Sequence, residues 1–309
     1  MSPSRPTNIA ASVAARLRQR SKTTGEDFQV LLTRYGLERL MYRLSRSEAA
    51  NRFVLKGAMM FLVWHGSPFR VTRDLDLLAT RQPTPDELRE LFRTLCRLSV
   101  EDDGLTFDEA SVEVAQIRED QQYGGLRVTM RGRMGNIRLP ILVDVGFGDA
   151  VTPAPKREAF PVLLDFPPPV LRMYPRETVV AEKTDAMVQL GLINTRMKDY
   201  YDIWVLMQGF EFDGALLKSA MVATFSRRKT GLPSDVPPGL SDEFAADRQR
   251  QTQWAAFLRR THAANPRDAD FRTVVGQVRE FLVPPLLAAG QTQAFTGTWA
   301  KGGPWHQNR

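Results

Sequence analysis

The sequence has 309 residues, of which 43% are hydrophobic and 25% charged, a composition typical of a globular chain with one large domain or two smaller ones. Its net charge of +7 favours an anionic partner such as a nucleic acid or a nucleotide. A single cysteine excludes an intramolecular disulfide and predicts a reducing, cytoplasmic environment, and no apolar run reaches the ~20 residues that a membrane span needs.

Helices and strands alternate in the first part of the chain. Asn8 is a candidate cap for the first helix, and Thr84, followed by acidic residues, predicts the start of another. The predicted helices cover residues 8–21, 25–44, 58–64 and 84–98. The predicted strands cover residues 53–57 (alternatively the end of a helix), 74–78, 106–117, 125–133 and 138–147.

The pattern changes after residue 150. Seven prolines between residues 150 and 175 predict an irregular connection, and helical spacing follows. The polar tail from about Gln291 is expected to fray. The later helices are predicted at residues 177–191, 198–207, 241–262 and 268–289, with shorter ones up to 230. We therefore expect an α/β domain at residues 1–175 and a helical domain at residues 176–309.

Asp74 and Asp76 are the most informative residues. Side chains at i and i+2 of a strand point to the same face, so these two carboxylates repel each other unless a cation lies between them. Oxygen-only ligation suits Mg²⁺, which commonly takes one or two carboxylates plus substrate phosphates. Most Asp-x-Asp pairs are solvated loop residues, so the pair needs support from the rest of the sequence.

Asp144 gives that support, because it lies in the middle of the most apolar predicted strand. A carboxylate there is costly unless it is paired or bound to a metal. We therefore predict a metal site formed by Asp74, Asp76 and Asp144.

Three charged residues of the helical half are further candidates. Lys183 lies one helical turn after Val179, and its amine could enter a cleft between the domains and bind a triphosphate; the alternative is a surface lysine. Asp199 could cap a helix. Asp202 lies in an aromatic and aliphatic run, where a carboxylate needs a partner or a hydroxyl that it deprotonates.

Four motifs together resemble the AbiEii/AbiGii nucleotidyltransferase toxin family, over about residues 50–207. The motifs are Leu55-Lys56-Gly57-Ala58, Arg70-x-Thr72-x-Asp74-Leu75-Asp76-Leu77, Glu182-Lys183 and Arg196-x-Lys198-Asp199-Tyr200-Tyr201-Asp202. The resemblance implies a DNA polymerase β-like nucleotidyltransferase core with a mixed sheet, and a helical C-terminal domain that completes the active-site cleft. It also implies a toxin of a type IV toxin–antitoxin or abortive-infection system.

The family implies roles for the matching residues. Asp74, Asp76, Lys183 and Asp202 match the catalytic positions, with Asp199 as the competing base and Asp144 matching by strand position only. The expected nucleotide-binding residues are Lys56, Gly57, Arg70, Thr72, Lys183, Lys198 and Asp199. The implied partners are Mg²⁺, an NTP, an RNA acceptor such as a tRNA 3′ end, and a cognate antitoxin or its kinase, with no membrane.

Two rival functions remain open on the sequence. The family usually has Gly-Ser or Gly-Gly where this chain has Gly57-Ala58, so a hydroxyl contact to the phosphates is missing, which is consistent with a non-catalytic binding protein on a degenerate core. An antibiotic nucleotidyltransferase would share the core, but it would favour an acidic acceptor cleft. Residues 215–309 carry 13 Lys and Arg against 7 Asp and Glu, which favours a nucleic acid.

Overall fold

The computed structural model describes residues 8–66, 72–117, 124–261 and 270–306. The chain divides into two compact units. The first comprises residues 1–148 and 156–173, and the second comprises residues 149–155 and 174–309. Among the described residues, no helix has both the length and the apolar character needed to cross a membrane.

Four helices of the first unit form where the sequence predicts them. Asn8 and Asp27 cap the first two through side-chain oxygens that accept backbone N–H groups. Thr84 and Glu87 form a reciprocal capping box at the start of the fourth. The helices are α1 (Ile9–Thr24), α2 (Phe28–Arg46), α3 (Met60–His65) and α4 (Pro85–Arg97).

A seven-stranded mixed sheet is the centre of the first unit. Its strands are β1 (Phe53–Lys56), β2 (Leu75–Ala79), β3 (Thr106–Ile117), β4 (Gly125–Met134), β5 (Ile137–Phe147), β6 (Lys156–Ala159) and β7 (Val170–Met173). They lie in the order β3-β4-β5-β2-β1-β7-β6. β2 is parallel to β5 and β1 to β7, and the other neighbouring pairs are antiparallel. This mixed sheet confirms the predicted α/β class.

Alternating side chains of β5 place it in the core. Leu139, Ile141 and Val143 are at most 2% exposed, and burial of each such side chain contributes about 1.5–3 kcal/mol. Gly36 lets α2 lie close to this strand, because a Cβ there would be 2.9 Å from Cδ1 of Ile141. Apolar contacts therefore fix the position of β5, and with it the position of Asp144.

The prediction of an irregular connection over residues 150–175 was wrong in part. The proline-rich segment contains β6 and β7, which pair with each other, and β7 pairs with β1. The strands were missed because of the prolines at residues 161–169. These prolines lie between β6 and β7 and not within either strand.

The second unit is mainly helical, as expected. Its helices are α5 (Arg176–Leu190), α6 (Met197–Gly209), α7 (Gly214–Arg228), α8 (Asp242–Ala246), α9 (Arg248–Arg260) and α10 (Phe271–Gly290). The single helix predicted over residues 241–262 is two, because Asp247 is extended and caps α9 by accepting from the N–H of Arg250. Residue 262 and the predicted start at residues 268 and 269 lie outside the described residues.

The C-terminal segment does not fray as expected. Its strands β9 (Thr298–Trp299) and β10 (Trp305–His306) form a three-stranded sheet with β8 (Phe212–Asp213). Trp299 is 1% exposed, lies 5.0 Å from the Phe281 ring and donates a hydrogen bond to the Met207 carbonyl oxygen. Burial of this large aromatic side chain outweighs the polar composition around it.

Candidate active site

Three carboxylates of the first unit lie together as the sequence predicts. Asp74, Asp76 and Asp144 each offer an oxygen, and these oxygens all lie within 4.8 Å of one another. All three residues are half-buried. The arrangement gathers three negative charges from two strands into a space of the size that one cation occupies.

Strand pairing brings these residues together. Asp76 lies in β2 directly opposite Asp144 in the parallel neighbour β5. Asp74 immediately precedes β2, two residues before Asp76, so its side chain reaches the same face. The register of the parallel pair β2 and β5 thus brings Asp144 next to Asp74 and Asp76, which are far from it in the sequence.

The donor set fits a divalent cation. Carboxylate oxygens are hard ligands that suit ions such as Mg²⁺ or Mn²⁺, and the charge of a divalent ion would offset their mutual repulsion. Asp74, Asp76 and Asp144 could therefore hold a metal ion. Their side chains would supply its protein ligands, and substrate oxygens and water would complete the coordination.

Thr72 orients the first of these carboxylates. Its hydroxyl donates a 2.6 Å hydrogen bond to Oδ1 of Asp74. Hydrogen bonds to a carboxylate are short and comparatively strong because the acceptor is charged. The expected contact of Thr72 with a nucleotide stays a prediction, beside this contact within the cluster.

Gly57 makes room for the second carboxylate. Its φ is +73°, a left-handed conformation that L side chains rarely adopt. A Cβ at this position would overlap the Asp76 carboxylate and lie 2.7 Å from its Cβ. The position therefore requires glycine for two reasons, and the following Ala58 is buried at 8% exposure.

Arg127 is a residue of this site that the sequence reasoning missed. It lies opposite Asp144 in the antiparallel pair of β4 and β5. Its Nε and Nη2 each donate a 2.8 Å hydrogen bond to a different oxygen of Asp144. The sequence could have predicted this contact from the two-residue turn at Gly135 and Asn136. Such a turn fixes the register of the hairpin, and the register places Arg127 opposite Asp144.

The second unit holds a different charged cluster, around Lys183. Its Nζ lies 2.6 Å from Oδ1 of Asp199 and 2.9 Å from Oδ2 of Asp202. Arg196 contacts the other oxygen of Asp199 at 2.6 Å. Asp199 and Asp202 are at most 1% exposed, so these ion pairs satisfy charges that burial would otherwise make costly.

Two cations hold Asp199 in its charged form. Burial raises the pKa of Asp199, but the positive charges of Lys183 and Arg196 outweigh it and lower the pKa from 3.8 to about 2. Asp199 does not cap α6, contrary to one reading of the sequence, because its carboxylate is taken by these two cations.

Arg228 forms another ion cluster in the second unit. Its guanidinium lies 3.1 Å from Asp185, 3.2 Å from Asp149 and 3.7 Å from Glu182. Burial lowers the pKa of Arg228, but these carboxylates outweigh it and raise the pKa above its ordinary value. Its side chain is 16% exposed, and the three carboxylates compensate its charge.

The remaining predicted site residues lie in several places. Lys56 ends β1 opposite Asp76 in the antiparallel register. Lys198 is exposed on the first turn of α6. Arg70 lies outside the described residues.

Sequence comparison defines the class of protein first. Residues 39–277 match the sequence model of a protein family, which is described as the nucleotidyl transferase AbiEii toxin of type IV toxin–antitoxin systems. This match spans most of the chain, and the chain belongs to the AbiEii nucleotidyltransferase toxin family. The resemblance that the four motifs indicate is thereby confirmed, and so is the prediction of an enzyme.

Solved structures with related shapes are also known. The nucleotidyltransferase toxin MenT4 from Mycobacterium tuberculosis is 20% identical with a TM-score of 0.46, and the match covers 91% of this chain and 98% of that one. JHP933 from Helicobacter pylori is 14% identical with a TM-score of 0.46, covering 86% and 92%. No curated protein sequence matches the chain. The family assignment rests on the sequence match.

Proposed function

We propose that this toxin is a Mg²⁺-dependent enzyme that transfers a nucleotide from an NTP to the 3′ end of an RNA such as tRNA. The observation that carries the proposal is the cluster of Asp74, Asp76 and Asp144, with oxygens within 4.8 Å of one another. Mg²⁺ bound there would neutralise charge that develops on the α-phosphate during transfer. The family supports a nucleotide substrate and an antitoxin partner.

The chain's own residues have separate roles in this proposal. Asp74 and Asp76 bind the metal, and Thr72 fixes the orientation of Asp74 through its 2.6 Å hydrogen bond. Gly57 leaves space for the Asp76 carboxylate. Each of these contacts lies within the first unit and serves to hold the ligands before substrate arrives.

Lys183 is the proposed phosphate contact because it matches the motif lysine of the family, and Asp199 and Asp202 hold its amine in place. Asp202, with Asp144 as the alternative, is the proposed base for the acceptor hydroxyl. Asp199 is the weaker choice since its pKa is lowered to about 2 by two cations, and a base of such low pKa accepts a proton poorly at neutral pH.

Features of the second unit support an RNA acceptor. α9 carries four arginines and no acidic residue over residues 248–260. Arg250 donates a hydrogen bond to the carbonyl oxygen of Leu192, beside Ile193, which is 74% exposed. Cations that bind phosphates, next to apolar side chains that can lie against bases, suit a single-stranded RNA end.

Incubation with each α-labelled NTP and total RNA, followed by gel electrophoresis, tests the proposal. We expect label in RNA of tRNA size, and about a thousandfold loss of transfer in Asp76→Asn, because a metal ligand stabilises charge in the transition state. Asp108→Asn is the matched control, since Asp108 pairs with Arg131 outside the cluster.

Two outcomes would contradict the proposal. Transfer by Asp76→Asn at the wild-type rate would remove Asp76 from the mechanism. Absence of transfer with all four NTPs, together with absence of Mg²⁺–NTP binding in calorimetry, would favour the non-catalytic alternative that Ala58 suggests.

A further inference from the structure

Asp144 of the carboxylate cluster forms a two-point ion pair with Arg127. Both of its oxygens accept 2.8 Å hydrogen bonds from the guanidinium of Arg127. This two-point contact is the geometry in which an arginine binds a carboxylate most strongly. An ion at the cluster must therefore share Asp144 with Arg127 or displace it.

The exposure of the two side chains indicates that the contact can be exchanged. Asp144 is 19% exposed and Arg127 43% exposed. Ion pairs this open to solvent contribute little to folding, because water screens them. The pair is thus unlike the buried pairs around Lys183, which are needed to compensate buried charge.

Arg127 reaches this place through a rigid element. It lies in register with Asp144 in a hairpin that pairs continuously from residues 126 and 145 to the turn. The guanidinium is therefore presented to Asp144 by the backbone, in advance of any ligand.

We propose that Arg127 regulates metal binding by making Asp144 a conditional ligand. With Arg127 in place, the ion competes with the guanidinium for Asp144, and the affinity for the ion is moderate. When the guanidinium leaves Asp144, the third carboxylate becomes available and the ion is held more tightly. The inference rests on the proposed metal site, and it assigns Arg127 a positioning role rather than contact with the reacting atoms.

Titration with Mn²⁺, followed by the loss of the free-ion electron paramagnetic resonance signal, measures this effect without substrate. Arg127→Gln is expected to raise the Mn²⁺ affinity about tenfold, because the Asp144 carboxylate is released to the ion. Arg127→Lys keeps the charge but lacks the planar fork, and a rise of about threefold is expected.

Arg131→Gln is the matched control. Arg131 lies on the same strand, pairs with Asp108 at 3.1 Å and is four residues from Arg127, which is roughly 13 Å along a strand. The same substitution there should leave the affinity for Mn²⁺ unchanged. Thermal unfolding of each variant establishes that the fold is kept, and Arg127→Lys provides the measurement if Arg127→Gln does not fold.

A second background shows whether the effect passes through Asp144. In Asp144→Asn, the added Arg127→Gln change should alter Mn²⁺ affinity by less than about threefold, because it then removes only a screened charge and releases no Asp144 carboxylate. A full tenfold rise in that background, or no rise in the wild-type background, would overturn the inference. Wild-type protein that binds no Mn²⁺ would instead contradict the metal site itself.

Discussion

The carboxylate cluster of the first unit and the Lys183 cluster of the second unit are both built from aspartates, but their charges are balanced differently. Asp74, Asp76 and Asp144 stand within 4.8 Å of one another and are half-exposed. Around Lys183, two buried aspartates meet two cations at 2.6–2.9 Å. In the first arrangement three carboxylates share one space beside the guanidinium of Arg127, whereas in the second two aspartates face two cations.

The difference indicates what each cluster requires. A half-exposed group of like charges is stabilised by a cation from solution, so it suits a ligand site. In a buried group of ion pairs, each member compensates the charge of another. Loss of one member therefore destabilises the fold, because it leaves a buried charge without compensation. Substitutions that neutralise one member should therefore act in opposite directions in the two clusters.

The largest effect is expected for Lys183→Met. The substitution removes the cation that Asp199 and Asp202 share, so we expect the free energy of unfolding to fall by about 3 kcal/mol or more. Chemical denaturation of the variant measures the loss. Lys198→Met, an exposed lysine on the next helix, is the control and should change stability by less than about 0.5 kcal/mol. A stable Lys183→Met protein would show that the cluster is not self-compensating.

A smaller effect is expected from acid. Because the folded pKa of Asp199 is depressed from 3.8 to about 2, its stabilising contribution is complete above pH 4 and is lost as pH falls toward 2. That contribution is roughly 2 kcal/mol. We expect Asp199→Asn to lose about this amount near neutral pH and to show a correspondingly weaker acid dependence. Denaturant unfolding at several pH values gives the free energy of unfolding of the wild type and of Asp199→Asn as a function of pH. The same pH dependence in both proteins would contradict the lowered pKa of Asp199.

The smallest effect, and the opposite sign, is expected for Asp74→Asn. Neutralising one of three like charges should raise the free energy of unfolding by about 1 kcal/mol in the presence of a chelator. Added Mg²⁺ should then stabilise the wild-type protein more than the variant, because the ion binds the folded state. Thermal melts with and without the ion test both statements. Glu113→Gln, an exposed carboxylate of the same unit, should respond to neither condition.

Much of the first cluster could be predicted from the sequence, for an identifiable reason. Asp144 was recognisable because a carboxylate in an apolar strand requires a partner, and the spacing of Asp74 and Asp76 follows from the geometry of a strand. That β5 lies parallel to β2 was not predictable from either strand alone, because parallel pairing depends on the order of the whole sheet.

The second cluster was less accessible to sequence reasoning. Lys183 and Asp199 are separated by a helix end and a turn, and the direction of α6 after that turn decides whether they meet. Arg196 was noticed only as part of a motif, yet it supplies one of the two cations on Asp199. Local periodicity predicts the faces of helices, but the angle between two helices depends on tertiary packing.

Composition misled the prediction at the C-terminal segment. Its glycines and polar residues indicate fraying, but Trp299 and Trp305 pack with Phe281 at ring distances of 5.0 and 5.8 Å. Two large aromatic side chains outweigh several polar neighbours, because their buried area is much greater. The number of tryptophans in a short segment was therefore a better signal than its average polarity.

The hairpin of β4 and β5 also restricts which insertions and deletions the protein can tolerate. Arg127 and Asp144 face each other because the turn at Gly135 and Asn136 is of one fixed size. Insertion or deletion of one codon there would preserve every side chain of both strands but shift one strand against the other, so that the guanidinium and the carboxylate would point to opposite faces of the sheet. Exchanges of residues can be tolerated along this hairpin, whereas a change in the length of its turn would separate the pair.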